Sequence, residues 1–215
     1  MCATRSASHS EADANATLTA TWESVLEYMR EEIARLESSE NLTPGQKIRR
    51  VLHAMSVSVT AASLRSAGWS DGSGPVRVRG NAGTKIAELH GVSLSEVDAS
   101  KHITHGLDLI GRGTQTQQFA AGLCEQLTHM LGRVSTLPVV YGLNHAIGAV
   151  IDATFKDLAA GREPDRGLLQ AVYRQARLVG ERRGTDPRIG REVTELQRRF
   201  EAEQTLSFSS GERTR

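Results

Sequence analysis

The chain has 215 residues, 39% of them hydrophobic, 24% charged and only 4% aromatic, with a net charge of +1. That length can bury one large core or two small ones without disulfide or metal staples, and the composition leaves the core to Leu, Val, Ile, Ala and Met. A charge so close to balance excludes a general attraction to nucleic acid or membrane, so only local asymmetry can supply one.

From the N-terminus, the opening MCATRSASHSEADANA has no apolar stretch behind Arg5 and does not read as a secretory signal. Cys2 and Cys124 are the only cysteines, which argues against a disulfide framework and for a reducing compartment. The chain is therefore expected in the cytoplasm. Residues 1–16 and 205–215 are polar and Ser-rich and are expected as disordered tails.

Helical periodicity dominates between the tails. Leu18, Trp22, Val25, Met29, Ile33 and Leu36 step by three or four and predict one helix with its acids on the opposite side. Thr43, Pro44 and Gln46 supply a cap, a first-turn proline and a capping box for a second helix through Ile48, Val51, Leu52 and Met55. Within it, MSVSVTA alternates with period two, a strand signal, but it sits in a good helical frame and is read as helix to Gly68. Residues 17–68 thus form an N-terminal helical pair. GWSDGSGPVRVRGNAG then reads as a linker over 69–83, with room for one short strand at Val76 and Val78.

Residues 84–204 are expected to hold a helix-turn-helix-like segment followed by a C-terminal bundle. One helix is predicted from Gln115 to Val134 with Phe119, Leu123, Leu127, Met130 and Leu131 on one side. A central helix starts at Pro138 and runs to Leu158. Its apolar run Leu137–Ile151 holds 15 residues, including Asn144 and His145, against the roughly 20 needed to cross a bilayer; no membrane span is expected. Asp165 caps a helix with Leu168, Leu169, Val172, Tyr173, Ala176 and Val179, and Asp186–Pro187 opens a last one with Ile189, Val193, Leu196 and Phe200. The fold class is all-α, a multi-helix bundle of about seven or eight helices.

KIAELHGVSLSEV, residues 85–97, carries the clearest local grammar. Counting Gly83 as the first of twenty positions, Ile86, Ala87, Gly91, Val92 and Val97 fall where an apolar, a small, a glycine and two apolar residues belong, while His90 and Ser100 are polar where packing is usual. Ser93 and Glu96 suggest a capping box for the second helix. The stretch 83–102 resembles the helix-turn-helix of bacterial transcriptional regulators. That resemblance implies double-stranded DNA as partner and a homodimer, with Ser93, Ser95, Glu96 and Ala99 at base edges and Arg77, Arg79, Lys101, His102 and Arg112 on the phosphate backbone. The alternative is a capped helical hairpin that packs Ile86, Leu89, Leu94 and Val97 into the bundle.

Other constellations are weaker. HITH puts His102 and His105 on one helical face, half of a metal site, with Asp108 on that face and Cys124 or His129 as further donors. GNAGTK suggests an anion-binding turn but lacks P-loop spacing. His145 and Asp152, seven apart, share a face as a core contact or a pocket lining. No G-x-S-x-G, H-E-x-x-H or C-x-x-C occurs, so an enzyme is disfavoured, and no cofactor is called for. Residues 23–40 hold six acids against two arginines, a net of −4, and residues 162–199 hold ten arginines against six acids, a net of +4. Arg174 with Arg177 and Arg188 with Arg191, each pair three apart, form basic faces that either track phosphate or an acidic partner or neutralise the acidic helix within the fold or across a dimer.

The leading expectation is a cytoplasmic DNA-binding regulator. A non-catalytic accessory or assembly protein that binds a protein partner is the alternative, and a helical sensor or enzyme using His102, His105 and His145 carries less weight.

Overall fold

The computed structural model describes residues 5–65, 73–111 and 133–211, and all regular structure among them is helical. Seven helices are described: α1 Arg5–Glu37, α2 Pro44–Arg65, α3 Ser73–Leu89, α4 Glu96–Leu109, α5 Arg133–Ala159, α6 Arg166–Gly184 and α7 Pro187–Gly211. The helix expected from Gln115 to Val134 lies almost wholly outside the described residues. At the ends, α1 is helical from Arg5 and α7 as far as Gly211, so helix replaces most of both expected tails.

Capping chemistry sets the boundaries. Thr43 and Gln46 form a reciprocal box, Gln46 N donating to Thr43 Oγ1 at 3.3 Å and Thr43 N to Gln46 Oε1 at 2.8 Å. Asp165 accepts from Leu168 N at 2.7 Å and Asp186 from Arg188 N at 2.9 Å, so both read caps stand where the sequence puts them.

Packing centres on α2, which touches α1, α3, α5 and α7. Ala54 to Leu64 is buried on every side. This explains the period-two pattern: a helix enclosed all round needs no polar face. Its hydroxyls turn back on their own helix, Ser56 to Leu52 O at 2.7 Å, Thr60 to Ser56 O and Ser63 to Val59 O at 2.6 Å. The sequence assigns the central place to the segment from Pro138; α2 shares it. Asn144 of α5 donates to Thr60 Oγ1 at 3.1 Å and ties the two together.

Two boundaries differ from expectation. Residues 73–83, read as linker, are the first part of α3. Pro75 sits in the first turn, where no helical N–H is lost, and the glycines are sites of close approach: Gly74 faces the Trp22 ring and Gly83 lies on Ile103 of α4. Tertiary packing thus overrides low helix propensity. Helix α5 begins at Arg133, five residues before Pro138, which forfeits one hydrogen bond near that end.

The acidic α1 and arginine-rich α7 meet within the fold. Arg199 holds Glu31 through two bonds of 2.9 and 2.7 Å and stacks 5.6 Å from the Tyr28 ring centre. Arg177 pairs with Glu181 and Arg188 with Asp186, each on or beside its own helix.

Candidate functional site

The stretch that resembles a helix-turn-helix becomes the end of α3, a six-residue connection and α4. The α3 stop is a Schellman motif: Gly91 adopts φ 84°, its N–H bonds Glu88 O at 2.8 Å and Val92 N bonds Ala87 O at 2.8 Å. The glycine that fits a helix-turn-helix pattern is therefore also what a helix end requires. His90, polar where packing is usual, bonds through Nε2 to Asp152 Oδ1 of α5 at 2.8 Å and pins the turn to the bundle. Ser100 sits against Gly80, where a larger side chain would force α3 and α4 apart.

The second helix starts two residues later than Ser93. Ser95 is its cap, accepting from Asp98 N at 3.1 Å and donating to Asp98 Oδ2 at 2.7 Å. The reason is chemical: Asp three residues after Ser closes a box as Glu does, and here a salt link from Lys101 to Asp98 at 2.9 Å reinforces it. That ammonium, and then the Ser95 hydroxyl, hold the Asp98 carboxyl below the usual carboxylate range.

This register rotates the face of α4. Ala99, Ile103, Gly106 and Leu107 are buried, whereas Glu96, Val97, Lys101, Thr104, His105 and Asp108 face outward. Val97, expected to pack inward, is 65% exposed. Ile86 is buried, and Leu89 and Leu94 are half-buried against the core. Between α3 and α4 runs a groove of about 620 Å³ lined by Val76, Arg77, Val97, Ser100, Thr104 and Asp108 among others. A second, of about 690 Å³, lies where α2, α5 and α7 meet and includes Leu64, Pro187, Val193 and Arg198.

The residues expected at DNA part company. Arg77 stands at the groove, half exposed and bound to Glu23 of α1. Arg79 is only 5% exposed, so its assignment to a phosphate backbone is corrected: it is on the core side of α3. Ser93, Ser95, Glu96 and Lys101 are exposed and His102 half-buried, while Arg112 lies outside the described residues. Across α4 the carboxylates Glu96, Asp98 and Asp108 face a single lysine.

Other expectations resolve simply. GNAGTK is interior to α3, with Thr84 Oγ1 donating to Gly80 O at 3.0 Å, so its N–H groups serve the helix and not an anion-binding turn. His145 and Asp152 do not meet, since seven residues are two helical turns, roughly 10.5 Å of rise. Asp152 takes His90, and His145 stacks on Tyr141 with centroids 6.0 Å apart and rings 9° from parallel. Among the described residues no three His, Cys, Asp or Glu side chains converge as a metal site requires, and no helix is long and apolar enough to cross a membrane. Cys124 and His129 lie outside the described residues.

Sequence reasoning missed the outward row Val97, Lys101, Thr104 and Asp108. Its spacing of four, three and four was visible once Ser95 was taken as the cap. Compared with known protein families, curated proteins and solved structures, the chain matches none.

Proposed function

We propose that this chain is a non-catalytic helical protein that binds a protein partner through the α3–α4 face. The carrying observation is Val97, 65% exposed on the wall of the groove beside Val76. A large aliphatic side chain in water next to an apolar channel, flanked by both Arg77 and Lys101 and by Glu96 and Asp108, suits an amphipathic helix laid along α4. Mixed charge at the rim favours register and specificity over indiscriminate attraction. The test compares proteins captured from a lysate of the source cells by wild type, Val97→Asp and a control, Leu178→Asp, on the exposed side of α6. The expected outcome is a partner that Val97→Asp loses and Leu178→Asp keeps; a partner set indifferent to Val97 overturns the reading.

Binding of double-stranded DNA is the second reading, favoured by the exposure of α4 from its capped N-terminus onward with Arg77 and Lys101 beside it. The acidic balance of α4 weighs against it, because carboxylates repel phosphate. It requires salt-dependent anisotropy on random duplex DNA with a log–log slope that shrinks in an Arg77→Ala/Lys101→Ala variant. No binding at low salt sinks it.

A further inference from the structure

The groove of about 690 Å³ where α2, α5 and α7 meet has no part in the partner-binding reading, and it shares no residue with the α3–α4 groove. Its floor is aliphatic, with Leu64 and Val193 buried and Leu137 half-buried. Gly190 leaves that floor open, since a Cβ there would meet nothing nearer than Leu137 Cδ2 at 3.7 Å. The wall is braced by Gln197, whose Nε2 donates to Ala61 O of α2 at 3.2 Å. A hollow already formed, of a size between about 300 and 1,000 Å³, is what a small molecule with an apolar body requires.

Two arginines stand along one edge of it. Arg191 and Arg198 line the groove, are exposed, and form no ion pair or hydrogen bond with any described residue, whereas Arg177, Arg188 and Arg199 each hold a carboxylate. Seven residues apart, the two fall within roughly 20° of one another around α7 and about 10.5 Å apart along it, with Thr194 between them. Glu195, the one acid among the lining residues, lies about 40° beyond Arg191, farther from the buried Val193, and leaves the lining one positive charge in excess. Arg166 and Arg174 of α6 are exposed as well, but they line neither groove.

Apolar floor and basic edge together select the occupant. A neutral aliphatic molecule would leave the two guanidiniums without a counter-charge, and a small hydrophilic anion would leave the floor wet. We propose that this groove binds an anionic amphiphile, a single aliphatic chain ending in a carboxylate. Its chain lies on Leu64, Leu137 and Val193, and its carboxylate accepts from Arg191 and Arg198, whose planar forks match two oxygens.

The test is calorimetric titration of the full chain with octanoate below its micelle-forming concentration, beside 1-octanol, which keeps the chain without the charge, and acetate, which keeps the charge without the chain. Wild type is compared with Arg191→Gln/Arg198→Gln, with Thr194→Phe, which fills the groove and keeps both arginines, and with the control Arg166→Gln/Arg174→Gln, which removes the same charge elsewhere. All five positions are exposed, and thermal melts check that each variant folds. Wild type should bind one octanoate per chain. Loss of both arginines should weaken octanoate about tenfold, Thr194→Phe should weaken octanoate and octanol alike, and the control should stay within about twofold of wild type. Octanol should bind about tenfold more weakly than octanoate, and acetate should give no saturable heat. Octanol bound as tightly as octanoate, saturable heat from acetate, or equal loss in the control and in the Arg191/Arg198 variant overturns the proposal. Absence of saturable heat from octanoate also overturns it and leaves the groove to a protein segment.

Discussion

His90 and Asp152 join the turn after α3 to the middle of α5: Nε2 stands 2.8 Å from Oδ1, with the side chains 18% and 36% exposed. The bond spans 62 residues and fixes the end of α3, and so the angle at which α4 leaves it. His90→Ala should cost about 1 kcal/mol, the worth of one partly buried hydrogen bond. Asp152→Ala should cost about the same, and the double variant little more than either alone, which a double-mutant cycle by urea unfolding reads directly. Additive losses would show that the two residues do not act together.

The register of α4 is open to a simple comparison. Ser95→Ala removes the cap that accepts from Asp98 N and should cost about 1 kcal/mol. Ser93→Ala, two residues earlier and exposed, should change the melting temperature by less than a degree or two. The reverse order would return the helix start to Ser93.

Two glycine substitutions should act with opposite sign. A Cβ on Gly180 would lie 2.8 Å from Gly142 Cα, backbone against backbone at the α5–α6 contact, so Gly180→Ala should destabilise by about 1–3 kcal/mol. A Cβ on Gly190, inside α7, would meet nothing nearer than 3.7 Å, so Gly190→Ala should stabilise by about 0.5–1 kcal/mol through helix propensity. Thermal melts of the two variants measure both.

His145 gives the fold a pH dependence. Burial, then the Arg183 charge and His53, hold its imidazole below the ordinary histidine value. Below the unfolded value of about 6.5 the unfolded chain therefore binds more protons than the native one. The stability this group contributes is full above that value and is lost as pH falls through the folded one. Wild type should lose stability between pH 7 and 5 that His145→Phe, which preserves the stack on Tyr141, keeps in part. Proton NMR of the His145 ring should show a midpoint below 6.5; a midpoint above it would reverse the sign.

Much of the fold was legible in local chemistry. The Thr43–Gln46 box, the Asp165 and Asp186 caps and the three-and-four stripes each needed only residues within one or two turns. Helix α3 was not legible, because Gly74, Pro75, Gly80 and Gly83 speak for a loop until Trp22, Ser100 and Ile103 are seen to need their smallness. The candidate face was half legible: the position of α4 followed from its sequence, but its orientation turned on which of two serines caps it. The burial of Arg79 was illegible, since an alternation of Val and Arg reads as a strand edge and only packing reveals a core position.

The most direct test of the partner-binding reading is site-specific photo-crosslinking, with the photoreactive residue at position 97 of the full chain in the source cells. A discrete protein adduct is expected that is absent when the same residue replaces Leu178. An adduct to nucleic acid, or none at position 97, would contradict it.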